Sequence, residues 1–330
     1  MVIPTLAAGP RLLECIAALE KQTLRDFEVI VVDNSGAGLA RRDGVARPGV
    51  RLIEPPRNLG FGAAVNEAFR ESRAPYLATL NDDAAPRPDW LLALLAALEA
   101  RSDAGMCASQ VRLFGEEALD SAGMLVCGDG SSKQRGHTRP PKFFPVAEEV
   151  LFPSGSAALY RRAMLDQIGL FDEDLFLYCE DTDLGLRARW AGWRCLYVPG
   201  AVVDHHYSHS AGRASRLKAY YVERNRLFVL AKNFPARMLV RAPFVAMARY
   251  AWHVRFMLHG RGAAARFRRE GAAAWRLPFY VLRAHAELLL YTTALWRRRR
   301  QIRGSARLSA RTYARLLRSH SISARRVAEL

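Results

Sequence analysis

The sequence predicts an α/β fold: a mostly parallel sheet flanked by helices, followed by a basic helical extension. Three observations predict it. Short β-rich runs alternate with amphipathic helical segments through residues 1–100. Two of those runs stop at clusters of carboxylate and amide side chains. The charge also changes sign along the chain. Residues 1–210 hold 22 Lys/Arg against 28 Asp/Glu, a net of −6, and residues 211–330 hold 27 against 4, a net of +23. An acidic first part and a basic tail suggest two jobs in one chain of 330 residues, divided as 1–232 and 233–330.

Val2-Ile3-Pro4-Thr5 reads as a short strand, and Leu12, Leu13, Ile16 and Leu19 then recur at helical spacing. Phe27 to Val32 is a buried-type strand that stops at Asp33-Asn34-Ser35-Gly36. Arg51-Leu52-Ile53 is a third strand. Phe61, Ala64, Val65, Ala68 and Phe69 mark a helix with one apolar face. Tyr76 to Leu80 is a fourth strand, ending at Asn81-Asp82-Asp83, and Pro88-Asp89 opens the next helix. This order implies parallel strands joined by right-handed crossovers, with ligands bound beyond the strands' carboxyl ends. Asp33 and Asn81-Asp82-Asp83 would then meet in one crevice. Residues 110–150 read as an irregular, loop-rich insertion. Glu180-Asp181-Thr182-Asp183 starts a helix, and Arg194 to Val198 is a strand.

Three constellations carry chemistry. Asn81-Asp82-Asp83 after an apolar strand suits a hard divalent cation, which would neutralise a diphosphate; a plain polar turn is the competing reading. Glu180-Asp181-Thr182-Asp183 puts three carboxylates at a helix start, where they serve either as helix-dipole partners or as a proton acceptor for a hydroxyl. Phe176 and Tyr178 precede that cluster and would line an acceptor site. Asp204-His205-His206-Tyr207-Ser208-His209 suits metal or phosphate contact. Five scattered cysteines (Cys15, Cys107, Cys127, Cys179, Cys195) and no CxxC argue against a disulfide framework or a zinc site, and a reducing cytoplasm fits them. No signal peptide is read at the N-terminus.

Taken in order, these residues resemble family 2 glycosyltransferases of the GT-A (Rossmann-like) group, especially the bacterial rhamnosyltransferase-like and galactofuranosyltransferase-like members. The matching segments are Val2 to Thr5, Phe27 to Ser35, Asn58 to Gly62, Leu80 to Ala84, Pro153 to Ala157, Gly169 to Glu173, Tyr178 to Arg187, Ala191 to Trp193 and Pro199 to His205. The resemblance spans roughly residues 2–230. It implies an inverting transfer from a UDP- or dTDP-sugar to a lipid-linked or polysaccharide acceptor in cell-envelope glycan synthesis, assisted by Mg²⁺ or Mn²⁺. Pro4, Thr5, Asp33, Asn58, Asn81, Asp82 and Gly155 would line the nucleotide-sugar site. Asp83 and His205 would hold the metal. Asp181 would be the general base, with Glu180 beside it and Asp183 in support. Two departures stand out. Only Met1 precedes the first strand, where relatives have several apolar residues, so the true start would lie upstream or the strand is short. Asn81 also replaces the first Asp of a strict DXD motif.

The tail alternates apolar residues (Leu239, Phe244, Met247, Trp252, Phe256) with Arg237, Arg241, Arg249 and Arg255, and ends one helical stretch in Arg297-Arg298-Arg299-Arg300. It is too charged to span a membrane but suits a helix lying in an anionic membrane surface, at the inner face of the cell membrane. A solvated bundle and an oligomer interface are the rivals. Nucleic acid is disfavoured by the acidic first 210 residues. A binding protein without turnover is disfavoured by the presence of Asp83 and Asp181. A nucleotidyltransferase is disfavoured because residues 5–10 have one Gly and no Lys. Donor sugar, acceptor and linkage stay open.

Overall fold

The computed structural model of the chain describes residues 1–206, 216–262, 265, 267 and 274–330. It divides into two compact units: Met1–Met124, Gln134–Phe176 and Trp193–Ser210 in the first, and Leu125–Lys133, Leu177–Gly192 and Ala211–Leu330 in the second. Compactness thus draws the line elsewhere than at residue 232, which falls inside the helix Arg216–Asn233.

In the first unit, the alternating pattern builds β1 (Val2–Thr5), α1 (Pro10–Leu19), β2 (Val29–Asp33), α2 (Leu39–Arg42), β3 (Val50–Ile53), α3 (Phe61–Glu71), β4 (Tyr76–Leu80), β5 (Ala84–Pro86) and α4 (Trp90–Glu99). β2 is buried along its whole length, so its sequence is an uninterrupted apolar run ending in Asp33. β4, β1, β2 and β3 lie side by side and run parallel, as the alternation predicts.

The rest of the sheet is mixed. β6 (Ala104–Leu113), β7 (Leu119–Ser121), β10 (Glu148–Val150), β11 (Ala157–Arg161) and β12 (Arg194–His205) complete the order β10-β12-β6-β11-β4-β1-β2-β3. β11 runs antiparallel to both β4 and β6, and β12 runs parallel to β6. Short strands β8 (Met124–Val126) and β9 (Ser132–Gln134) form a separate ribbon.

Residues 110–150 are therefore not loop alone, which corrects the sequence reading. They contain the end of β6 and four further short strands. β6 has no alternation to read because its first eight residues are all buried, many of them small. Gly105 is one example: a Cβ there would lie 2.6 Å from Met164 Sδ. The core under the sheet takes the apolar faces of α1 and α4. Trp90 is fully buried there and donates its indole N–H to Ser109 Oγ at 2.8 Å.

The second unit is helical. It contains α6 (Glu180–Trp190; α5, Arg162–Ile168, belongs to the first unit), α7 (Arg216–Asn233) and α8 (Ala236–Leu258), then helices Leu277–Leu290, Thr292–Gly304, Ala310–Ser319 and Ala324–Glu329. Trp190 organises one end. It stacks on Tyr313 with ring centroids 3.7 Å apart, lies under the Arg303 guanidinium and donates to Asn233 O at 2.7 Å. Several basic residues are structural rather than solvated. Arg249 donates to Asp129 Oδ2 at 2.6 Å and to Glu223 Oε2 at 2.9 Å, and Arg226 pairs with Glu223. These buried guanidiniums are matched by buried carboxylates.

Candidate active site

β4 leads into Asn81-Asp82-Asp83, and the chain turns directly into β5. β5 pairs antiparallel with the end of β12, with Ala84 opposite His205 and Ala85 opposite Asp204. That ladder sets Asp83 beside His205. His206 N donates to the Asp83 carbonyl at 3.0 Å, and Asp83 Oδ1 lies 3.0 Å from His205 Nε2. The other ring nitrogen, Nδ1, is 2.9 Å from Asp120 Oδ2 on β7. His137 stands behind Asp120, with its Nδ1 3.1 Å from the Asp120 carbonyl.

All three side chains of the Asp83–His205–Asp120 row are nearly buried. Burial alone would lower the His205 pKa. The hydrogen bonds to Asp120 and Asp83 outweigh it and push the imidazole up to about 10. Burial likewise works against the Asp120 anion, and its bonds with His137 and His205 hold it at about 2.

Asp82 makes a different contact. The Thr5 hydroxyl donates to Asp82 Oδ2 at 2.6 Å, joining the ends of β1 and β4. Burial pushes the Asp82 carboxyl up to about 6, against the Thr5 bond. Pro4 precedes Thr5 in β1, in register with Val32. The Asn81 amide lies 3.2 Å from His205 Nε2, and Asn81 N donates to Ser156 O at 2.9 Å. Gly155 thus sits in the turn running beside the Asn81 loop. The structure therefore brings Thr5, Asn81, Asp82, Asp83 and His205 together.

Asp33 and Asn58 are engaged by their own loops. Asp33 accepts from Ser35 N at 3.0 Å and Ala40 N at 2.8 Å. Asn58 Oδ1 accepts from Gly60 N at 2.8 Å and from Asn34 Nδ2 at 3.0 Å. Gly60 opens α3 with φ +85°, and a Cβ there would lie 2.1 Å from the Phe176 carbonyl oxygen. Only glycine fits that approach.

The second acidic cluster lies at the start of α6, in the second unit. Asp181 Oδ1 accepts from Thr182 N at 2.6 Å and lies 3.2 Å from the Thr182 hydroxyl, which meets Ser132 Oγ at 2.8 Å. Tyr178 and Cys179, just before the helix, both have positive φ. Asn225 holds this strained turn by donating to the Leu177 and Tyr178 carbonyls at 2.9 and 2.8 Å. Glu180 is buried with Oε2 unpartnered, and burial, with Asp181 adding to it, pushes its carboxyl up to about 8. Asp183 is fully buried and takes Lys232 Nζ, Asn233 Nδ2 and Arg187 Nε, each at 2.8 Å. Tyr207, Ser208 and His209 of the histidine cluster lie outside the described residues.

The model for glycosyl transferase family 2 matches residues 1–169. The N-acetylglucosaminyl-diphospho-decaprenol L-rhamnosyltransferase of Mycobacterium tuberculosis is 33% identical over 247 residues, covering 67% of this chain and 80% of that one. The chain belongs to glycosyltransferase family 2. A second relative of this glycosyltransferase, the rhamnosyltransferase WbbL of Escherichia coli K12, is 30% identical over 214 residues, covering 59% of this chain and 78% of its own. Among solved structures, GalNAc-T7 with UDP, GalNAc and Mn²⁺ superposes with a TM-score of 0.61 at 15% identity, over 75% of this chain and 50% of that one. The enzyme thus has the GT-A fold.

Sequence reasoning missed one residue of the candidate site. Asp120 orients His205, yet it lies in the stretch read as loop. Its only signal is a carboxylate placed between Leu119 and Ser121 in a short run, and nothing local says that it faces a histidine from β12. Among the described residues, no group of three or more His, Cys, Asp and Glu is placed to hold a metal ion.

Proposed function

We propose that this enzyme is an inverting rhamnosyltransferase. It would move L-rhamnose from dTDP-rhamnose to a lipid-linked acceptor at the cytoplasmic face of the membrane, in cell-envelope glycan synthesis. The observation that carries the reading is the 33% identity to a decaprenol-linked L-rhamnosyltransferase over 80% of that protein's length. A UDP-galactofuranose donor is the alternative from the same family resemblance.

Asp181 is the proposed base. It takes the proton of an acceptor hydroxyl as that oxygen bonds to the anomeric carbon. The bond from that carbon to the diphosphate breaks on the opposite face, which inverts the configuration. Glu180, whose carboxyl burial and then the Asp181 charge push up to about 8, is the member of the pair less readily ionised than an ordinary carboxyl. Thr5, Asn81 and Asp82 are assigned to the nucleotide-sugar site, with Pro4, Asp33, Asn58 and Gly155 around them.

Asp83 and His205 fit a divalent cation. Their facing atoms are 3.0 Å apart. A carboxylate facing an imidazole would suit a divalent cation that ordinarily completes its shell with water and phosphate oxygens. Asp120 suits the arrangement, because a carboxylate on Nδ1 would keep the ring proton there once a cation had displaced the proton that Nε2 shares with Asp83. When bound, the cation would neutralise charge on the leaving diphosphate.

Thermal melting against dTDP- and UDP-sugars, with Mn²⁺ and with EDTA, tests the reading. A ligand that binds only the folded chain raises its melting temperature. A metal-dependent shift confined to dTDP-rhamnose is expected, and Asp83→Ala should erase the metal dependence. A shift confined to UDP-galactofuranose overturns the donor assignment. Equal shifts with and without EDTA overturn the roles of Asp83 and His205. Asp120→Asn should raise the Mn²⁺ concentration for half-maximal transfer by about 10–100-fold. An unchanged metal requirement would reduce Asp120 to a packing role.

A further inference from the structure

No helix among the described residues is long and apolar enough to cross a membrane. Even so, twelve of the eighteen large apolar side chains that are exposed among them fall between Val240 and Trp296. On α8 they are ordered. Val240, Phe244, Met247, Val254 and Leu258 are each 52–77% exposed, and exposed Ala251 completes a spacing of four and three residues in alternation. That spacing lays one apolar stripe along the helix. The opposite face is spoken for, because Ala242 and Arg249 are buried there and Arg249 is paired with Asp129 and Glu223. The helix Leu277–Leu290 repeats the pattern with exposed Phe279, Leu282, Ala286 and Leu289.

The charge beside the stripe has one sign. Arg237, Arg241 and Arg255 follow its edge, all exposed, and α8 contains no Asp or Glu. At the carboxyl end of α8 a cleft of about 250 Å³ is lined by Trp252, Arg255, Phe256, His259, Arg261 and Arg325. The Glu329 carboxylate stands close enough to act on Arg261 and Arg325, but its hydrogen bond goes to Arg326. Among the described residues, none of its three arginines sits in a salt bridge. Arg325 and Arg255 lie 5.1 and 5.8 Å from the Trp252 ring centre. Guanidiniums converging on an open cleft are suited to phosphate oxygens.

We propose that the α8 stripe and this cleft form a docking surface for an anionic lipid bilayer. The stripe enters the boundary between headgroups and acyl chains, and Arg255, Arg261 and Arg325 take lipid phosphates. Charge decides between occupants. A second copy would bring one all-basic edge against another, within a region carrying 27 basic and 4 acidic residues. Nucleic acid would satisfy the arginines and leave the stripe in water. A bilayer with anionic headgroups satisfies both parts. The inference goes beyond the transfer reaction and does not depend on which sugar is moved.

The test is co-sedimentation of the full chain with phosphatidylcholine vesicles, with and without phosphatidylglycerol, at low and high salt. Binding is expected only with phosphatidylglycerol. The double variant Phe244→Glu/Met247→Glu should lose about tenfold in binding at unchanged melting temperature, because both residues are exposed. Arg255→Glu/Arg325→Glu should lose a similar factor and flatten the salt dependence. Asp181→Asn should bind vesicles like the wild type, which separates failure of this inference from failure of the catalytic reading. Binding to neither vesicle, equal binding to both, or full binding by the Phe244→Glu/Met247→Glu chain overturns it. So does a dimer in light scattering that this double variant dissociates while the wild type ignores vesicles.

Discussion

Asp181→Asn is expected to lower the transfer rate by about a thousandfold or more while leaving donor affinity nearly unchanged. The amide keeps the volume and still accepts from Thr182 N, so the start of α6 should hold its shape. What it loses is the basic oxygen. The neighbouring carboxyl complicates the experiment in a useful way. Glu180 is pushed up to about 8, by burial first and then by the Asp181 charge. Removing that charge lets Glu180 ionise more readily, so the neighbouring carboxyl can act as a substitute base. Residual transfer that rises with pH in Asp181→Asn and disappears in Glu180→Gln/Asp181→Asn would identify that substitution. Normal turnover by the single variant would sink the base assignment, and loss of donor binding in step with turnover would make Asp181 a structural residue.

Asp183→Ala should cost more stability than any other change in the cluster, about 3–5 kcal/mol. Asp183 is fully buried and is met by Lys232, itself 1% exposed, as well as by Arg187 and Asn233. Its truncation takes from the buried Lys232 ammonium the carboxylate that meets it at 2.8 Å. Burial opposes the Asp183 anion, but Lys232 and Arg187 more than compensate and hold its pKa well below the ordinary value. A depressed acid contributes stability that is present above the unfolded pKa of about 3.9 and is lost as pH falls below it, so the loss should be complete at neutral pH. For a unit of this size the melting temperature should drop by roughly 10 °C. Asp183→Leu/Lys232→Met, which removes both charges and keeps apolar volume, should recover much of it. A melting curve unmoved by Asp183→Ala would show that the pair is not what holds α6 to α7.

The two acidic clusters were legible because each follows a pattern that local physics enforces. β2 and β4 are apolar runs that end in carboxylates, and Glu180-Asp181-Thr182-Asp183 is a helix start. What separates Asp183 from Asp181 is not local. Both occupy the first turn of α6, and only the packing of Lys232 from α7 makes one of them a structural ion. β6 escaped notice because burial on both sides removes the period-two signal. Asp120 escaped because its partner arrives from β12 in a pairing that only the folded sheet creates.

The β5–β12 ladder has a consequence for how such an enzyme can change over generations. Asp83 and His205 meet only because Ala84 stands opposite His205 and Pro86 opposite Val203. Neighbouring residues on a strand point to opposite faces, so inserting or deleting one residue in either strand would turn one partner away from the other. Variation in length is therefore confined to the connections outside these short runs. The Asp83–His205 pair is held as a single block by one register, while the connections around it can change length without separating the two side chains.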